Sequence, residues 1–293
     1  MSGQKLSSMH THTTFCDGRD DVETMCRNAH TKNLFAIGFS AHAPVEKQIC
    51  RQTEWHIKDE HVHDYTAEVK AAKERWSGKL NVFLGYEVDY INGKRSALDS
   101  DITALNLDFI IGSVHYLFPE NGAEPFTVDG SKEEFEKGLK DGFNGDAQKL
   151  MHSYYDAMLE MIKKGGFDIL GHADLLKKNC QGENYWQENI EICRQKEVAI
   201  AAKKADLVIE ANTGGLNRGK IKDLYPSLSF LKIINEQNIP VIITADAHKA
   251  NDIDGNYNIA LNTLILADFK EHFIFYGKRN GKAIWKKEKI LQI

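Results

Sequence analysis

Residues 109–115, Phe-Ile-Ile-Gly-Ser-Val-His, begin with the unbroken apolar run Phe109-Ile110-Ile111 and end on a histidine. Residues 241–248, Val-Ile-Ile-Thr-Ala-Asp-Ala-His, repeat the pattern near the end of the chain. Uninterrupted apolar runs of this length are typical of parallel strands that are buried on both faces. Runs of this kind predict seven strands, at 6–12, 34–40, 80–88, 107–114, 166–171, 205–211 and 239–245.

Helical periodicity fills the gaps between these strands. Val22, Met25, Cys26 and Ala29 mark one face of a helix after the first strand, and a longer helix precedes the fifth strand. This alternation predicts an α/β fold, a (β/α) barrel of the TIM type with functional residues at the carboxyl ends of its strands. A further strand near 273–276 is conceivable, but we expect seven strands in the barrel and one domain over residues 1–293.

The segment 117–148 is too long for an ordinary loop between a strand and a helix. It follows the fourth predicted strand, so it lies on the same rim as the strand-end residues, and it carries five glycines among many charges. We expect an insertion that forms a lid or part of a substrate pocket. The alternative is a solvated decoration of the barrel.

Histidines and acids occupy the ends of the predicted strands. Two residues apart on a strand, His10 and His12 point to the same side, as do Asp246 and His248. A lone histidine at a strand end is more often a hydrogen-bonded rim residue than a ligand, but nine such side chains at one rim predict a site for two or three divalent metal ions. The predicted ligands are His10, His12, Asp17, His42, Glu87, His115, His172, Asp246 and His248.

Glu87 is placed to bridge two cations, because a carboxylate has two oxygens.

A second His-x-His pair, His61 and His63, lies in a charged helical stretch, where the side chains of residues two apart diverge by about 200°. We therefore expect that pair not to bind metal.

Composition narrows the class of function. The 293 residues carry a net charge of −5, which gives no support to a nucleic-acid partner. There is no apolar run of 18 residues and no signal-peptide pattern, so neither a membrane span nor secretion is expected. Five scattered cysteines without a Cys-x-x-Cys pair suit a reducing cytoplasm. The sequence leaves a monomer and a homodimer equally open.

The ordered set of motifs resembles the PHP (polymerase and histidinol phosphatase) superfamily, and within it the histidinol-phosphatases of histidine biosynthesis. The motifs span residues 10–248. His-x-His alone is a weak signal, whereas the complete set in family order is strong. The carrying segments are 10–18 (HTHTTFCDG), 38–44 (GFSAHAP), 85–91 (GYEVDYI), 111–116 (IGSVHY), 171–172 (GH), 210–216 (EANTGGL) and 246–248 (DAH).

The resemblance implies a distorted (β/α)7 barrel with three metal sites. One metal would take His10, His12, Glu87 and Asp246; a second would share Glu87 and add His115 and His172; the third would take Asp17, His42 and His248. Mixed nitrogen and oxygen ligands suit Zn, Mn or Fe. The chain departs from the family pattern at Asp17, where many relatives have a histidine, and at Ala41, where the family usually has an aspartate beside the histidine.

The implied reaction is hydrolysis of a small phosphate monoester, L-histidinol phosphate, by in-line attack of a metal-bridging hydroxide. No serine, cysteine or histidine is then needed as a nucleophile. Arg218 is the candidate contact to the phosphate, since a guanidinium can donate two parallel hydrogen bonds to the oxygens of one phosphate group. Asp89 is two residues after Glu87 on the same predicted strand, so both side chains point to the same side. Asp89 is therefore a candidate contact to the substrate ammonium.

Three other functions stay open at this point. Another PHP phosphoesterase would act on a nucleotide, an oligonucleotide or a phosphotyrosine. A metal-dependent amidohydrolase often uses a bridging lysine on the fourth strand, where this chain offers His115 instead. The third alternative is a protein with little or no activity, either a barrel that binds metal without catalysis or a phosphatase weakened by Ala41.

Overall fold

A computed structural model describes residues 4–46, 49, 54–180 and 185–291 of the chain. Its strands are β1 (Ser7–Ser8), β2 (Ala36–His42), β3 (Asn81–Asp89), β4 (Phe109–Ser113), β5 (Tyr116–Leu117), β6 (Phe126–Thr127), β7 (Ile169–Leu170), β8 (Val208–Asn212), β9 (Val241–Thr244), β10 (Glu271–Arg279) and β11 (Lys282–Lys289). Its α-helices are α1 (Val22–Thr31), α2 (Val62–Arg75), α3 (Ser100–Thr103), α4 (Lys132–Phe143), α5 (Ala147–Lys164), α6 (Glu188–Lys204), α7 (Gly214–Asn217), α8 (Leu228–Glu236) and α9 (Tyr257–Leu266). Short 3₁₀ turns cover Asp59–His61, Leu175–Asn179 and Ala250–Asp252.

Seven parallel strands form one sheet in the order β1-β2-β3-β4-β7-β8-β9. Backbone bonds join its two edges beyond the regular ladders, because the amide of His12 donates to Ala247 O at 2.9 Å and the amide of Ala247 donates to His10 O at 3.1 Å. The sheet therefore curls into a nearly closed barrel. The predicted (β/α)7 architecture is confirmed, with one barrel strand in each of the seven predicted runs.

The first strand is shorter than predicted for a physical reason. Regular pairing with β2 is confined to Ser7 and Ser8, although the chain stays close to β2 as far as Thr11. There the amide of Thr11 donates to the Ser40 hydroxyl at 3.0 Å instead of to a backbone carbonyl. The regular ladder ends two residues before His10, and His10 and His12 stand on irregular backbone.

The predicted helices also form, and they cover the outside of the barrel. Val22, Met25, Cys26 and Ala29 are the buried residues of α1. The larger hydrophobic cluster lies between the strands and this helical layer, and a smaller one fills the barrel beneath the carboxyl ends of the strands. None of the helices in the described ranges has both the length and the apolar character needed to cross a bilayer. Cys16, Cys26 and Cys193 are free thiols, whereas Cys50 lies outside the described residues.

The segment 117–148 folds as a β-hairpin followed by a helix. The strands β5 and β6 pair antiparallel, and α4 begins at a capping box in which the Ser131 hydroxyl and the Glu134 carboxylate each accept a backbone amide. The strand near 273–276 exists as well, but it is part of β10, which pairs with β11 in a separate antiparallel hairpin outside the barrel sheet. Seven strands is therefore the correct number for the barrel.

Candidate metal centre

The nine predicted ligands meet at the carboxyl ends of the barrel strands. Four groups of side chains there have ligand atoms that all lie within 4.8 Å of one another. The groups, in the described part of the chain, are His12-Asp17-His42-His248, His10-His12-Asp246, Glu87-His115-His172 and His42-Asp89-His115. Asp89 is thus the one member of these groups that was not predicted as a metal ligand.

Glu87 stands at the centre of the arrangement with its two oxygens facing different histidines. Its Oε2 lies 3.1 Å from His10 Nε2 and 3.0 Å from His42 Nδ1. Its Oε1 lies 2.9 Å from His172 Nε2 and 3.6 Å from His115 Nε2. The two oxygens thus face different histidines, a position compatible with the predicted bridging role.

Asp246 closes the group around the first pair of histidines. Its Oδ1 lies 3.3 Å from His12 Nε2 and 3.7 Å from His10 Nε2. The backbone of Asp246 has a left-handed φ of 46°, a conformation that aspartate tolerates better than most residues. This turn directly follows β9 and aims the carboxylate into the barrel mouth.

Asp17 reaches the site from the tight turn after β1. Its Oδ2 lies 3.0 Å from His248 Nε2, and its Oδ1 lies 3.5 Å from His12 Nδ1 and 3.9 Å from His42 Nε2. The turn needs glycine at position 18, because a Cβ there would come within 2.4 Å of the Thr13 amide nitrogen. The aspartate thus occupies the position where a third group of ligands assembles.

The donor set fits divalent ions. Three buried ring nitrogens, His10 Nε2, His12 Nε2 and His42 Nδ1, have no hydrogen-bond partner among the described residues, although carboxylate oxygens lie nearby. Ligands bound at about 2.1 Å around a tetrahedral ion are about 3.4 Å apart. The three nitrogens lie 3.0–3.7 Å from carboxylate oxygens of Glu87 and Asp246, a range that includes this spacing.

Electrostatics keeps the carboxylates of the site ionised. Burial raises the pKa of Glu87, but His42, His10 and His115 outweigh it and hold that pKa well below its usual range. Burial likewise raises the pKa of Asp246, and Arg218 and His10 outweigh it in the opposite direction. So much negative charge gathered in a buried place calls for cationic ligands.

The histidines divide into two electrostatic classes. Burial lowers the pKa of His42 to about 3 and also lowers that of His12, where the neighbouring His248 acts in the same direction. Burial lowers the pKa of His115 too, but Asp89 and Glu87 outweigh it and raise the value to about 10. His42 and His12 are therefore neutral, the form that binds metal, whereas His115 carries an extra proton when no metal is present.

Two buried acids hold the histidines from behind. Glu210 Oε2 accepts from His10 Nδ1 at 2.9 Å, and Asp89 Oδ1 accepts from His115 Nδ1 at 2.7 Å. Asp89 is fully buried and Oδ2 lies 3.4 Å from His56 Nε2, so the structure places it beneath His115 rather than on the pocket wall. Sequence reasoning missed Glu210 as a functional residue, although an acid inside the apolar run of β8 was a usable signal.

A cavity of about 230 Å³ opens above the ligands. Seven of the nine predicted ligands line it, whereas His10 and His12 lie fully buried beneath. The other lining residues are Trp55, Asp129, Leu175, Lys178, Arg218 and Lys220. Of these only Arg218 was predicted, since Trp55 and Asp129 lie in irregular segments where no strand-end pattern marks them.

Arg218 is fixed at the edge of this cavity. Its Nη2 donates to Asp246 Oδ2 at 3.0 Å and its Nη1 donates to the Asp246 carbonyl at 3.1 Å. A guanidinium has five N–H donors, so donors remain for a ligand in the pocket. The predicted role as a phosphate contact is compatible with this position.

Ala41 lies away from the cavity. It is buried in the hydrophobic cluster between the barrel and its helices, on the face of β2 opposite to His42. Its amide contacts the Tyr65 hydroxyl at 3.3 Å. The replacement of the family's usual aspartate therefore changes the outer layer of the barrel and not the lining of the pocket.

Comparisons with known proteins agree with this geometry. The model of the PHP domain family matches residues 8–214 of the chain. A probable histidinol-phosphatase of Deinococcus radiodurans is 26% identical over 85% of this chain and 88% of the relative. The histidinol-phosphatase of Bacillus subtilis is 24% identical over 86% of this chain and 97% of the relative.

Two solved structures share the fold. A protein of Listeria monocytogenes assigned as a histidinol phosphatase superposes with a TM-score of 0.77 at 24% identity, covering 86% of this chain and 99% of its own. The histidinol phosphate phosphatase of Lactococcus lactis, solved with zinc, L-histidinol and phosphate, gives a TM-score of 0.66 at 17% identity over 92% of this chain and 97% of its own.

Proposed function

Because this chain belongs to the PHP domain family, we propose that its pocket hydrolyses L-histidinol phosphate to L-histidinol and phosphate with two or three divalent metal ions, Zn, Mn or Fe. The observation that carries the proposal is the convergence of Glu87 and eight other ligand side chains at the floor of a cavity that Arg218 also lines. The relatives named as histidinol-phosphatases, one of them bound to zinc, L-histidinol and phosphate, support it.

The ligands divide into three sets around the shared carboxylate of Glu87. His10, His12 and Asp246 would hold one ion with it, and His115 and His172 a second; Asp17, His42 and His248 would hold the third. Bound divalent ions supply charge that masks a phosphate dianion and lower the pKa of a water molecule towards neutrality.

The residues of the chain contribute binding and orientation. Glu210 and Asp89 fix the rings of His10 and His115, so that each presents Nε2 to Glu87. Arg218, held by Asp246, binds phosphoryl oxygens from the side of the pocket and stabilises the charge that they carry in the transition state. No protein nucleophile is required.

The size of the cavity favours a small substrate. Pockets that enclose drug-sized ligands usually measure roughly 300–1,000 Å³. The cavity here is about 230 Å³, and apart from the histidines at the metal groups Trp55 is the one aromatic side chain in its lining among the described residues. A small phosphate monoester suits these dimensions better than an oligonucleotide, which needs an extended groove with several stacking positions.

The direct test is release of inorganic phosphate from L-histidinol phosphate. Protein loaded with Mn or Zn should release phosphate, and the same protein treated with a chelator should not. Arg218→Met should lower kcat/KM by roughly 10²-fold, since a lost charge-assisted contact costs about 1.5–3 kcal/mol and the Asp246 carboxylate also loses its partner. Arg27→Met, at an exposed arginine on α1, is the matched control and should leave kcat/KM unchanged.

Metal analysis of the same preparations decides how a negative result is interpreted. Protein that contains two or three ions per chain and yet releases no phosphate from L-histidinol phosphate would refute the proposed substrate. Activity that persists unchanged after complete removal of the ions would refute the metal-dependent mechanism.

A further inference from the structure

Among the described residues four carboxylates line the cavity, and one of them has no place in the metal groups. Asp17, Glu87 and Asp246 each belong to a ligand set, whereas Asp129 does not. Asp129 comes from the rim insertion, which is the segment 117–148, and lies just after β6. We propose that Asp129 binds the ammonium group of the substrate and thereby selects amino-alcohol phosphates over other phosphate monoesters. This inference rests on the proposed function, which it extends from the reaction to the choice of substrate.

The contacts of Asp129 leave one carboxylate oxygen for a ligand. Lys178 Nζ donates to Oδ1 at 2.7 Å and also bonds the Asp129 carbonyl. The Asp129 amide donates to Thr127 Oγ1 at 3.0 Å, which fixes the backbone. Among the described residues nothing donates to Oδ2, and about 35% of the side chain is exposed. A held carboxylate with one accessible oxygen is suited to accept a charged N–H donor.

The charges around Asp129 match the charge distribution of an amino-alcohol phosphate. Arg218 and the metal groups attract the phosphate to the floor and side of the cavity. The ammonium of L-histidinol phosphate is only two carbon atoms from the ester oxygen, so it must remain inside the same small cavity. Asp129 is the lining carboxylate whose negative charge is not committed to metal ions, and ion pairing with Lys178 keeps it ionised.

Asp89, the sequence-based candidate for the same role, is less suitable. It is fully buried, it accepts from both the ring and the backbone amide of His115, and it does not line the cavity. Asp129 therefore replaces Asp89 in our assignment of the ammonium contact.

The test compares two substrates that differ in the ammonium group alone. L-histidinol phosphate has it, and 3-(imidazol-4-yl)propyl phosphate lacks it. With Asp129→Asn, kcat/KM for L-histidinol phosphate should fall roughly 10- to 100-fold, the range expected for a lost hydrogen bond between charged groups. For the deamino analogue, kcat/KM should stay within about threefold of wild type, because the deleted charge had no partner there.

Two further variants separate direct binding from indirect effects. Asp141→Asn removes the same charge from an exposed position on α4, where Asp141 pairs with Lys137, and should change neither rate. Lys178→Met removes the cation that holds Asp129 but leaves the carboxylate; if Asp129 contacts the ammonium itself, this variant keeps more of the preference for L-histidinol phosphate over the analogue than Asp129→Asn does. A preference that is lost in Lys178→Met but kept in Asp129→Asn would assign the selection to Lys178 and overturn the inference.

The outcomes also distinguish this inference from the proposed function. Wild-type protein that hydrolyses neither compound refutes both together. Wild-type protein that hydrolyses L-histidinol phosphate, combined with equal losses on both compounds or no loss on either in Asp129→Asn, refutes the ammonium contact and leaves the proposed function intact.

Discussion

Glu210 and Asp89 bond the ring nitrogens of two histidines on the side that faces away from Glu87. Each acid accepts from Nδ1, at 2.9 Å for His10 and 2.7 Å for His115, so Nε2 is the nitrogen left for a metal ion. Glu210 is further fixed by the Thr244 hydroxyl and the His172 amide. Acids of this kind set the tautomer and the direction of a histidine ligand, and their loss weakens metal binding without removing a ligand.

Asp89→Asn should therefore weaken metal binding more than it weakens substrate binding. We expect the affinity for the most weakly held ion to fall roughly 10- to 100-fold, with KM for L-histidinol phosphate changed less than about threefold at saturating metal. Chelator competition gives the affinity, and steady-state kinetics gives KM. Asp99→Asn, which changes an aspartate bound to Ser96 and Arg95 away from the site, is the control. A raised KM with unchanged metal affinity would instead assign Asp89 to the substrate.

The strand-end residues could be predicted from sequence because parallel strands leave their carboxyl ends at one rim. His115, Glu87 and Asp246 follow apolar runs that are recognisable without any tertiary information. His56 and Asp129 could not be found in this way, since each is brought to the site by a loop whose path depends on packing elsewhere. His56, for example, bonds the Tyr116 hydroxyl at 3.0 Å across 60 residues of chain.

At the level of secondary structure, the rim insertion has a composite role. Its helix α4 lies on the outside, whereas the residue after Val128 enters the cavity and pairs with Lys178 from the 3₁₀ turn that follows β7. The Asn179 side chain bonds the carbonyls of Val128 and Gly130, at 3.0 and 3.3 Å, which fastens the same stretch to the barrel. The expectation that segment 117–148 forms part of the pocket thus has support at one residue, while most of the insertion packs on itself and on α5.

The hairpin of β10 and β11 covers the end of the barrel opposite to the metal centre. Phe275 on β10 is fully buried against Phe83, Phe109 and Trp285, with ring centroids 4.8, 5.8 and 5.1 Å away. Phe109 belongs to the start of β4, so this aromatic cluster closes the amino-terminal end of the barrel. The sequence showed a strand here, but it could not show that the strand caps the barrel instead of joining it.

Phe275→Ala should therefore reduce stability and leave the chemistry almost untouched. A deleted, fully buried phenylalanine costs about 3–5 kcal/mol in free energy of unfolding, because its contacts are lost and a cavity remains. Urea unfolding monitored by circular dichroism measures the loss, and kcat at low temperature checks the site. Phe273→Ala, at a half-buried neighbour of the same cluster, should cost clearly less. Equal losses for the two variants would contradict the capping role of Phe275.

Across the whole molecule, the barrel cap also joins the two ends of the described chain. His272 on β10 is buried, and its Nε2 lies 3.1 Å from Gln4 Nε2 near the amino terminus. Glu288 on β11 is the residue opposite His272 in the hairpin and the acid that acts on it. Burial nevertheless prevails over Glu288 and lowers the pKa of His272 to about 4.

This lowered pKa makes stability depend on pH in a defined window. Above about pH 6.5 the ring is neutral in both the folded and the unfolded chain, so the full stability is present. As the pH falls from about 6.5 towards about 4, the unfolded chain binds a proton at this histidine that the folded chain does not bind, and the free energy of unfolding drops by up to about 3 kcal/mol.

His272→Gln keeps an amide beside Gln4 but cannot titrate. In chelator-treated protein, it should lose roughly that much less stability than wild type between pH 7.5 and pH 4.5, as measured by urea unfolding. The metal-site histidines titrate equally in both proteins and cancel in the difference. The control is His63→Gln, at a side chain that is 92% exposed, which should lose as much stability between the two pH values as the wild type. If His272→Gln also lost as much as the wild type, His272 would not be responsible for the acid sensitivity.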